Sequence, residues 1–302
     1  MRNAQAESWR VYADDPRTAL VAAIRDAGIA IAEPERIVAD GTLTRFHVEG
    51  DRRGSRNGWC VLFDDAGGIA GSFGHWRTGI TGTWRMGRGR LTDAERERLR
   101  EATAKEMRKH EAERARVVEA AAGRAMKLWS QAGMAEPTHP YLVRKRVHGH
   151  GIRQLDKRLV IPLRDVEHKV WSLEFISPDG TKRFLSGGRK RGCYFGIGSI
   201  YAPHGCVCIA EGFATAASIH EATGKAVAVA FDAGNLDPVA RALRAKFPGA
   251  LITICADNDT DTPDNPGLTK AITAARAVDG YVAIPPQGYN DFNDAALAEV
   301  VE

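Results

Sequence analysis

An α/β fold is predicted for the C-terminal third of the chain, with a parallel sheet flanked by helices. Four short apolar runs of strand type, CVCIA, AVAVAF, ALITICA and YVAI, alternate there with three helix-length patterns. Alternation of this kind is typical of parallel strands joined by helices that pack on the sheet. The charge distribution separates this part from the one before it. Residues 141–192 carry a net charge of +8, whereas residues 201–302 carry a net charge of −7.

Four segments are expected along the chain. Residues 1–90 are predicted to form a small β-rich domain, since short aromatic and β-branched runs alternate with turn-forming Gly, Asn and Asp. Residues 91–136 are predicted to be a helical linker, because the stretch 92–132 has no proline and a single glycine. Residues 137–200 are expected to form a mixed α+β basic subdomain, and residues 201–302 to contain the parallel sheet.

Bulk composition argues against several classes of protein. The 302 residues are 44% hydrophobic and 26% charged, which is ordinary for a globular chain. No apolar run approaches the roughly 18–20 residues of a membrane span, and the N-terminus lacks a secretory signal, so a cytoplasmic protein without a membrane partner is expected. Five irregularly spaced cysteines do not suggest a disulfide framework. His47, Cys60 and His75 stand singly and no four-ligand Cys/His set exists, so no zinc is expected.

Six acidic residues stand at or after the expected carboxyl ends of the parallel strands, where ligand sites gather in such sheets. They are Glu211, Asp257, Asp259, Asp261, Asp291 and Asp294. Carboxylates placed together repel each other unless a cation or a proton lies between them. Oxygen ligands favour Mg²⁺ or Mn²⁺ over zinc. These residues therefore predict a divalent-metal site, although a single D-x-D pair alone would suggest only a loop facing solvent.

The E-G pair after one strand and the D-x-D pair two strands later resemble the Toprim domain of primases, topoisomerases and related nucleases. The resemblance covers residues 205–300 and implies a Rossmann-like Toprim sheet. It also implies a catalytic set of Glu211, Asp257 and Asp259. In that family the glutamate acts as a general acid or base or orients the metal site, and the two aspartates hold Mg²⁺.

Further residues of the acidic third fit this resemblance. Asp291 and Asp294, in the sequence YNDFND, resemble an additional acidic pair that primases carry after the last core strand. Asp261 lies close to the D-x-D pair and is a further candidate ligand. Gly267, after Asn265 and Pro266, resembles the glycine that opens the next helix.

The segment before the acidic third resembles the catalytic core of DnaG-type primases. HPYLVRKRV is similar to the Y-L-x-x-R-G helix of that core, with Val147 in place of the glycine. RLVIPLRDVEHKVWSLEFISPDGTKRFLSGG is similar to the strand pair and basic loop that follow. In that family this basic surface lies beside the Toprim acids, and Lys and Arg bind phosphates largely independently of sequence. The residues implied to bind nucleic acid or nucleotide are Arg144, Lys145, Arg146, Arg164, Lys182, Arg183, Ser186, Arg189, Lys190 and Arg191.

Together these resemblances imply a DNA primase of phage, plasmid or mobile-element type, which makes short RNA primers by Mg²⁺-dependent nucleotidyl transfer. Its implied partners are single-stranded DNA and ribonucleoside triphosphates. A helicase is also implied, as a separate protein or a C-terminal fusion, because the chain has no G-x-x-x-x-G-K-[ST] phosphate loop. Two alternatives stay open: a Toprim nuclease that cleaves phosphodiesters, and a non-catalytic DNA-binding adaptor of replication.

Aromatic residues of the β-rich and basic segments have two interpretations. Trp59, Trp76 and Trp84 stand in a meander that resembles a primase zinc ribbon without its ligands. They are predicted to lie in the core, and stacking on single-stranded DNA is the alternative. Phe184 and Tyr194 are likewise predicted to be core residues rather than platforms for bases.

Overall fold

The computed structural model describes residues 15–38, 40–65, 68–86, 92–199, 205–260 and 262–299. The chain divides into two compact units, Met1–Ala115 and Arg116–Glu302, which are called the N-terminal unit and the C-terminal unit below. One long helix runs across the division between them. Residues 1–14 and 87–91, which belong to the expected β-rich domain and linker, lie outside the described residues.

The N-terminal unit combines one helix with an antiparallel meander. Its elements are helix α1 (Pro16–Asp26), a short 3₁₀ helix (Pro34–Arg36) and strands β1 (Leu43–Phe46), β2 (Gly58–Asp65), β3 (Gly68–His75) and β4 (Thr81–Arg85). The sheet order β1-β2-β3-β4 places each strand beside its neighbour in sequence, and each pair is antiparallel. The β-rich N-terminal region predicted from the turn-rich sequence is confirmed.

Helix α1 packs on this meander through one apolar face. Asp15 caps the helix, because its carboxylate accepts hydrogen bonds from the main-chain N–H groups of Arg17 and Thr18 at 3.3 and 3.2 Å. Leu20 and Ile24 are four residues apart and therefore share a face of the helix. Both are fully buried in a core with side chains of the sheet.

The three tryptophans of the meander have different environments. Trp59 is buried, which confirms its predicted core position, and Trp84 is half-buried against the same core. Trp76 is 45% exposed, so its core prediction is wrong. It falls in the turn after β3 and has no sheet face to pack on. Its ring centroid lies 6.0 Å from that of Trp59 and 4.5 Å from the guanidinium carbon of Arg45.

The histidines and the cysteine of this unit contribute to packing and hydrogen bonding. His75 is buried, with its Nε2 3.1 Å from a carboxylate oxygen of Asp51. The Nδ1 of His47 lies 2.9 Å from the main-chain oxygen of Ser55, and Cys60 is fully buried. Among the described residues of the N-terminal unit, no three His, Cys, Asp or Glu side chains come together as a metal-binding group.

Helix α2 (Asp93–Gln131) confirms the predicted long helix. Its first half is charged with both signs and mostly exposed. Near its end, Ala125 and Trp129 are buried together with Val160 and Leu173 of the C-terminal unit's first sheet. Of the helices that the structure describes, none has both the length and the apolar composition to cross a membrane.

The first sheet of the C-terminal unit is antiparallel, in the order β5-β6-β7-β8-β9. Its strands are β5 (Gly133–Met134), β6 (Arg153–Leu155), β7 (Arg158–Arg164), β8 (Val170–Ile176) and β9 (Lys182–Phe184), and helix α3 (Pro140–Lys145) lies between β5 and β6 in the chain. This sheet and helix form the mixed α+β basic segment that the sequence predicts.

The second sheet of the C-terminal unit is the predicted α/β sheet. Its strands are β10 (Phe195–Ile197), β11 (Cys206–Ala210), β12 (Ala226–Val229), β13 (Leu251–Cys255) and β14 (Tyr281–Ala283), in the order β10-β12-β11-β13-β14. Its helices are α4 (Phe213–Thr223), α5 (Leu236–Lys246), α6 (Pro266–Arg276) and α7 (Phe292–Glu299). Strand β11 pairs in parallel with β12 and β13, and β13 pairs in parallel with β14, so the predicted parallel sheet is confirmed.

Strand register aligns the carboxyl ends of the parallel strands. Ala210, the last residue of β11, pairs with Val229 on one side and with Cys255 on the other. Cys255 in turn pairs with Ala283, the last residue of β14. The chain therefore leaves all four parallel strands at one level of the same edge, where the residues that follow can meet.

Two elements differ from the sequence expectation. Strand β10 adds an antiparallel edge at β12 to the predicted parallel sheet. Helix α7 forms in addition to the three helices that the sequence pattern predicts, and the carboxylate of Asp291 caps it. One of its oxygens accepts hydrogen bonds from the main-chain N–H groups of Asn293 and Asp294 at 2.7 and 2.9 Å.

Candidate metal centre

Glu211 lies at the junction of β11 and α4, at the aligned edge of the sheet. One of its carboxylate oxygens is buried, and no hydrogen-bond partner for it lies within the described part of the chain. Burial raises the pKa of Glu211 to about 8, and repulsion from Asp257, Asp259 and Asp232 adds to the rise. A hydrogen bond from the main chain of Ala233 opposes it. A carboxyl group in such a place favours a proton or a cation.

Asp257 lies two residues after the end of β13, at the same edge. Burial raises its pKa to about 7, and the charges of Asp291 and Asp259 raise it further, while Lys182 lowers it. One oxygen of Asp257 is buried and finds no hydrogen-bond partner among the described residues. The electrostatic coupling between Asp257 and Glu211 shows that the fold brings two of the predicted ligands together.

The loop that carries Asp257 and Asp259 is fixed by main-chain and side-chain hydrogen bonds. The N–H of Asn258 donates to the carbonyl of Asn290 at 2.7 Å, and the Asn265 amide donates to the Asn258 side chain at 2.7 Å. A Cβ added to Gly267 would lie 2.6 Å from the carbonyl oxygen of Asp257, so only glycine allows α6 to begin this close. Asp259, in the same loop, is half-buried.

The remaining predicted ligands lie around the start of α7 or outside the described residues. Asp291 caps α7 and Asp294 lies in its first turn. Asp291 is close enough to Asp257 to raise its pKa, and Asp294 has a weaker effect of the same sign. Asp261 lies outside the residues that the structure describes.

The donor set at this edge fits a divalent cation. Glu211 and Asp257 each hold a buried oxygen without a hydrogen-bond partner in the described chain, and the charge of Asp257 raises the pKa of Glu211. A cation bound between carboxylates relieves both desolvation and mutual repulsion. An all-oxygen set of this kind suits Mg²⁺ or Mn²⁺, which keep coordination positions for water and phosphate. Asp257 and Asp259 would hold the ion, with Glu211 beside it.

Glu211→Gln is expected to raise the thermal unfolding temperature of the metal-free protein by a few degrees at pH 7. The folded-state pKa of about 8 lies above the usual value of 4.5, so the stability associated with this carboxyl is complete below about pH 4.5. It is lost as the pH rises from about 4.5 through about 8, because the unfolded chain releases this proton there while the folded protein still retains it. Calorimetry in a chelator between pH 5 and 8.5 measures the difference, which should shrink towards the acidic end. An equal shift at every pH, or the same gain in Glu136→Gln at an exposed site, would contradict this explanation.

Three lysines of the basic segment approach the acidic edge. The ammonium of Lys182, in β9, lies 3.6 Å from the point that a Cβ added to Gly212 would occupy, and its charge lowers the pKa of Asp257. The ammonium of Lys145 lies 3.6 Å from a carboxylate oxygen of Asp294. Lys190 forms an ion pair with Asp232, and sits 4.8 Å from the ring centroid of Phe184.

Three of the arginines predicted to bind nucleic acid interact with other groups of the protein. Arg144 donates to the carbonyl of Pro178 at 3.0 Å. Arg146 ends α3 with a left-handed conformation and donates to a carbonyl of α7 at 3.4 Å. Arg164 lies over the ring of Trp129, 5.5 Å from its centroid.

The last four predicted residues lie on and after strand β9. Arg183 and Ser186 are exposed, and the main-chain oxygen of Ser186 accepts a hydrogen bond from Arg124 at 3.0 Å. Arg191 is also exposed, whereas Arg189 lies 4.7 Å from the ring centroid of Trp171. Their placement leaves Arg183 and Arg191 accessible to solvent without placing either beside the acids.

Two acidic residues that the sequence analysis did not single out belong to this neighbourhood. Asp232 raises the pKa of Glu211 and follows β12 at the aligned edge, so the strand-end rule used for Glu211 would have found it. Glu174 is buried in β8, and burial raises its pKa to about 7 while Lys182 and Lys190 lower it. Glu174 stands alone in the apolar run WSLEFI, and that pattern gives no comparable indication of a functional residue.

The two aromatic residues of the basic segment differ in exposure. Tyr194 is buried, as predicted. Phe184 is 40% exposed, so its predicted core position is wrong. It lies on the edge strand β9, where its ring meets Phe231 edge-on with centroids 6.1 Å apart.

Residues 206–301 match a family model described as a Toprim domain. The C-terminal sheet with its acidic edge is a Toprim domain. Toprim domains bind divalent metal ions in general, and in this one the buried oxygens of Glu211 and Asp257 provide a matching donor set. The match begins at β11, so the antiparallel sheet and the N-terminal unit lie outside it.

Two relatives align with this chain on both sides of residue 206, where the Toprim match begins. Both are named DNA primase TraC and come from Escherichia coli. One is 35% identical over an alignment of 281 residues, and the match covers 89% of this chain and 26% of the relative. The other is 34% identical over an alignment of 282 residues, and the match covers 89% of this chain and 19% of the relative. The chain is homologous to part of these primases and spans about a quarter or less of their length.

Solved primase structures are more distantly similar. The primase fragment of the bacteriophage T7 primase-helicase protein is 16% identical, with a TM-score of 0.41, over 52% of this chain and 69% of that one. The DnaG primase catalytic domain bound to single-stranded DNA is 12% identical, with a TM-score of 0.41, over 62% of this chain and 76% of that one.

Proposed function

We propose that this chain is the catalytic part of a DNA primase, which makes short RNA primers on single-stranded DNA. The observation that carries the proposal is the acidic Toprim edge with Lys182 beside Gly212 and close enough to Asp257 to lower its pKa. Cation-binding carboxylates and a phosphate-binding ammonium side by side are what nucleotidyl transfer needs. Homology to part of the TraC primases supports primer synthesis over other reactions of Toprim domains.

Mg²⁺, or Mn²⁺ in its place, is the proposed cofactor, held by Asp257 and Asp259 with Glu211 beside them. When bound, the ion offsets the negative charge of the attacking and leaving oxygens in phosphoryl transfer. A cation bound beside Glu211 would favour the ionised form of this carboxyl, which can accept a proton. We assign it the proton of the attacking 3′-hydroxyl, and the α-phosphate of the incoming nucleotide is attacked as pyrophosphate leaves.

The basic segment is proposed to hold nucleotide and template. Lys182 lies beside Gly212 and close enough to Asp257 to lower its pKa, and it would contact the triphosphate. Arg183 and Arg191 are exposed and would contact the phosphates of the template strand without reading sequence. The 40% exposed ring of Phe184 could stack on a base beside them. Lys190, paired with Asp232, would keep this surface joined to the Toprim edge.

Single-stranded DNA, ribonucleoside triphosphates and a helicase are the proposed partners, and the cytoplasm is the proposed location. Primer synthesis requires unwound DNA, and the sequence contains no G-x-x-x-x-G-K-[ST] phosphate loop for a helicase motor. The helicase would act from another protein or another part of the same one.

Incubation with single-stranded DNA, labelled ribonucleotides and Mg²⁺ is expected to yield short oligoribonucleotides. Product should depend on template and disappear in a chelator. Lys182→Ala should lower the rate about 10-fold, since a charged contact to phosphate is lost. Lys270→Ala is the matched control, because Lys270 is an exposed lysine on helix α6.

Two outcomes of the same assay would replace the proposal. Cleavage of DNA or RNA without nucleotides would identify the Toprim edge as that of a nuclease. DNA binding with neither synthesis nor cleavage, and without carboxylate-dependent metal binding, would identify a non-catalytic adaptor.

A further inference from the structure

We propose that the C-terminal unit carries a second metal site, for Zn²⁺ or a similar transition-metal ion, formed by His148, His150 and Glu221. These residues come from the loop after α3 and from the last turns of α4. The site is built from different residues and different donor atoms than the acidic Toprim edge, and it stands independently of the proposed primase activity.

The three side chains already present their ligand atoms to one another. The Nε2 of His150 lies 2.6 Å from one Glu221 oxygen, and the Nδ1 of His148 lies 3.3 Å from the same oxygen. One ligand atom from each residue lies within 4.8 Å of both others. Zinc holds nitrogen and oxygen ligands at about 2.0–2.2 Å, so small side-chain shifts would make room for an ion between them.

The backbone holds this arrangement in place. His150 has φ 45° and Gly151 has φ 82°, so two successive residues adopt the left-handed conformation. A residue other than glycine is uncommon there, and surrounding contacts must maintain it. The main-chain N–H of His148 donates to the same Glu221 oxygen at 2.9 Å, which ties the loop to α4. The ring of His150 also packs edge-on against His220, with centroids 5.2 Å apart.

Donor chemistry separates this site from the Toprim edge. Two imidazoles and one carboxylate are a donor set that proteins use for zinc, whereas Mg²⁺ prefers oxygen ligands and retains water. Affinity for imidazole sites rises along the first-row series, so Zn²⁺, Ni²⁺ and Cu²⁺ should bind here far better than Mg²⁺.

The exposure of the three side chains fits an accessible surface site. His150 is 18% exposed and Glu221 is 26% exposed, so these two provide a half-buried base. His148 is 84% exposed and can close over an ion from the solvent side. The expectation that the chain has no zinc site rests on the absence of a four-ligand sequence motif. Three ligands from segments about 70 residues apart leave no such motif.

A bound ion would brace the antiparallel sheet's loop against the Toprim helix that follows Glu211. Helix α4 begins two residues after Glu211 and carries Glu221 near its end. We therefore assign the site a structural role. Filling it should raise the thermal stability of the C-terminal unit without supplying the ion for phosphoryl transfer.

Metal titration of the full chain tests the proposal. Metal-free protein carrying Asp257→Asn and Asp259→Asn, which disable the Toprim edge, is titrated with Zn²⁺ by calorimetry and with Co²⁺ by visible absorption. One equivalent of Zn²⁺ should bind, and the Co²⁺ spectrum should show nitrogen ligation. His150→Ala and Glu221→Gln in the same background should each weaken binding at least about 10-fold. His168→Asn, which removes an exposed histidine of a turn, should bind as before.

The outcomes are distinct. Unchanged Zn²⁺ affinity in both His150→Ala and Glu221→Gln would overturn the proposal, as would equal weakening in His168→Asn. Melting of the metal-free variants at the parent temperature would show that the lost binding does not come from unfolding. If a variant melts early, His148→Ala supplies the second measurement, since His148 is the most exposed ligand. Unchanged affinity there, together with a Co²⁺ spectrum typical of oxygen ligands, would also reject the site.

Discussion

Asp257→Asn is expected to lower the rate of primer synthesis at least about 100-fold. Asparagine preserves the shape of the side chain but removes the charge that would hold the cation beside Glu211. The neighbouring carboxylates would remain, so the lower rate would come from a misplaced or weakly bound metal ion and not from the loss of all the metal ligands. The measurement is the initial rate of oligoribonucleotide formation at saturating template, over a range of Mg²⁺ concentrations.

The matched control for this change is Asp279→Asn. Asp279 is an exposed aspartate of the same domain, and its φ of 49° is a conformation that asparagine accepts equally well. The control should synthesise primers at the parent rate. Mn²⁺ binding to both variants separates the causes, because only Asp257→Asn should weaken it. Full activity in Asp257→Asn would refute the assignment of the metal centre.

Asn235→Ala is expected to reduce the free energy of unfolding by about 2–5 kcal/mol. Asn235 is 2% exposed and its side chain joins two loops. Its oxygen accepts from the N–H of Gly192 at 2.8 Å, and its amide donates to the carbonyls of Cys193 and Ala230 at 2.9 and 2.8 Å. Alanine leaves two buried carbonyls and the half-buried N–H of Gly192 without these partners, and each unsatisfied group carries a desolvation cost.

Urea denaturation with hydrogen exchange measures this effect. The amide of Gly192 should lose protection first, because its acceptor is removed. Asn235→Asp keeps the oxygen acceptor but loses two donors, so it should protect Gly192 while still destabilising the unit. Asn290→Ala is the control, since Asn290 is exposed and its main-chain oxygen, which alanine retains, accepts from Asn258. Equal protection of Gly192 in the parent and in Asn235→Ala would contradict the proposed link.

The acidic residues of the candidate site were predictable from sequence, whereas its basic residues were only partly predictable. Glu211 and Asp257 directly follow apolar strand patterns, and in a parallel sheet such positions share one edge. No comparable rule predicts where Lys182 lies. It reaches Gly212 because β9 is the edge of a separate antiparallel sheet packed beside the Toprim domain, and nothing in a run of basic residues specifies that packing.

The sequence by itself determined the long helix, the parallel sheet and the acidic edge, because each depends on local periodicity and on where strands end. Tertiary structure alone decided two other features. It left Phe184 exposed on an edge strand, and it brought His148 and His150 to Glu221. These depend on contacts between segments far apart in the chain, which hydrophobic pattern and charge counts do not encode.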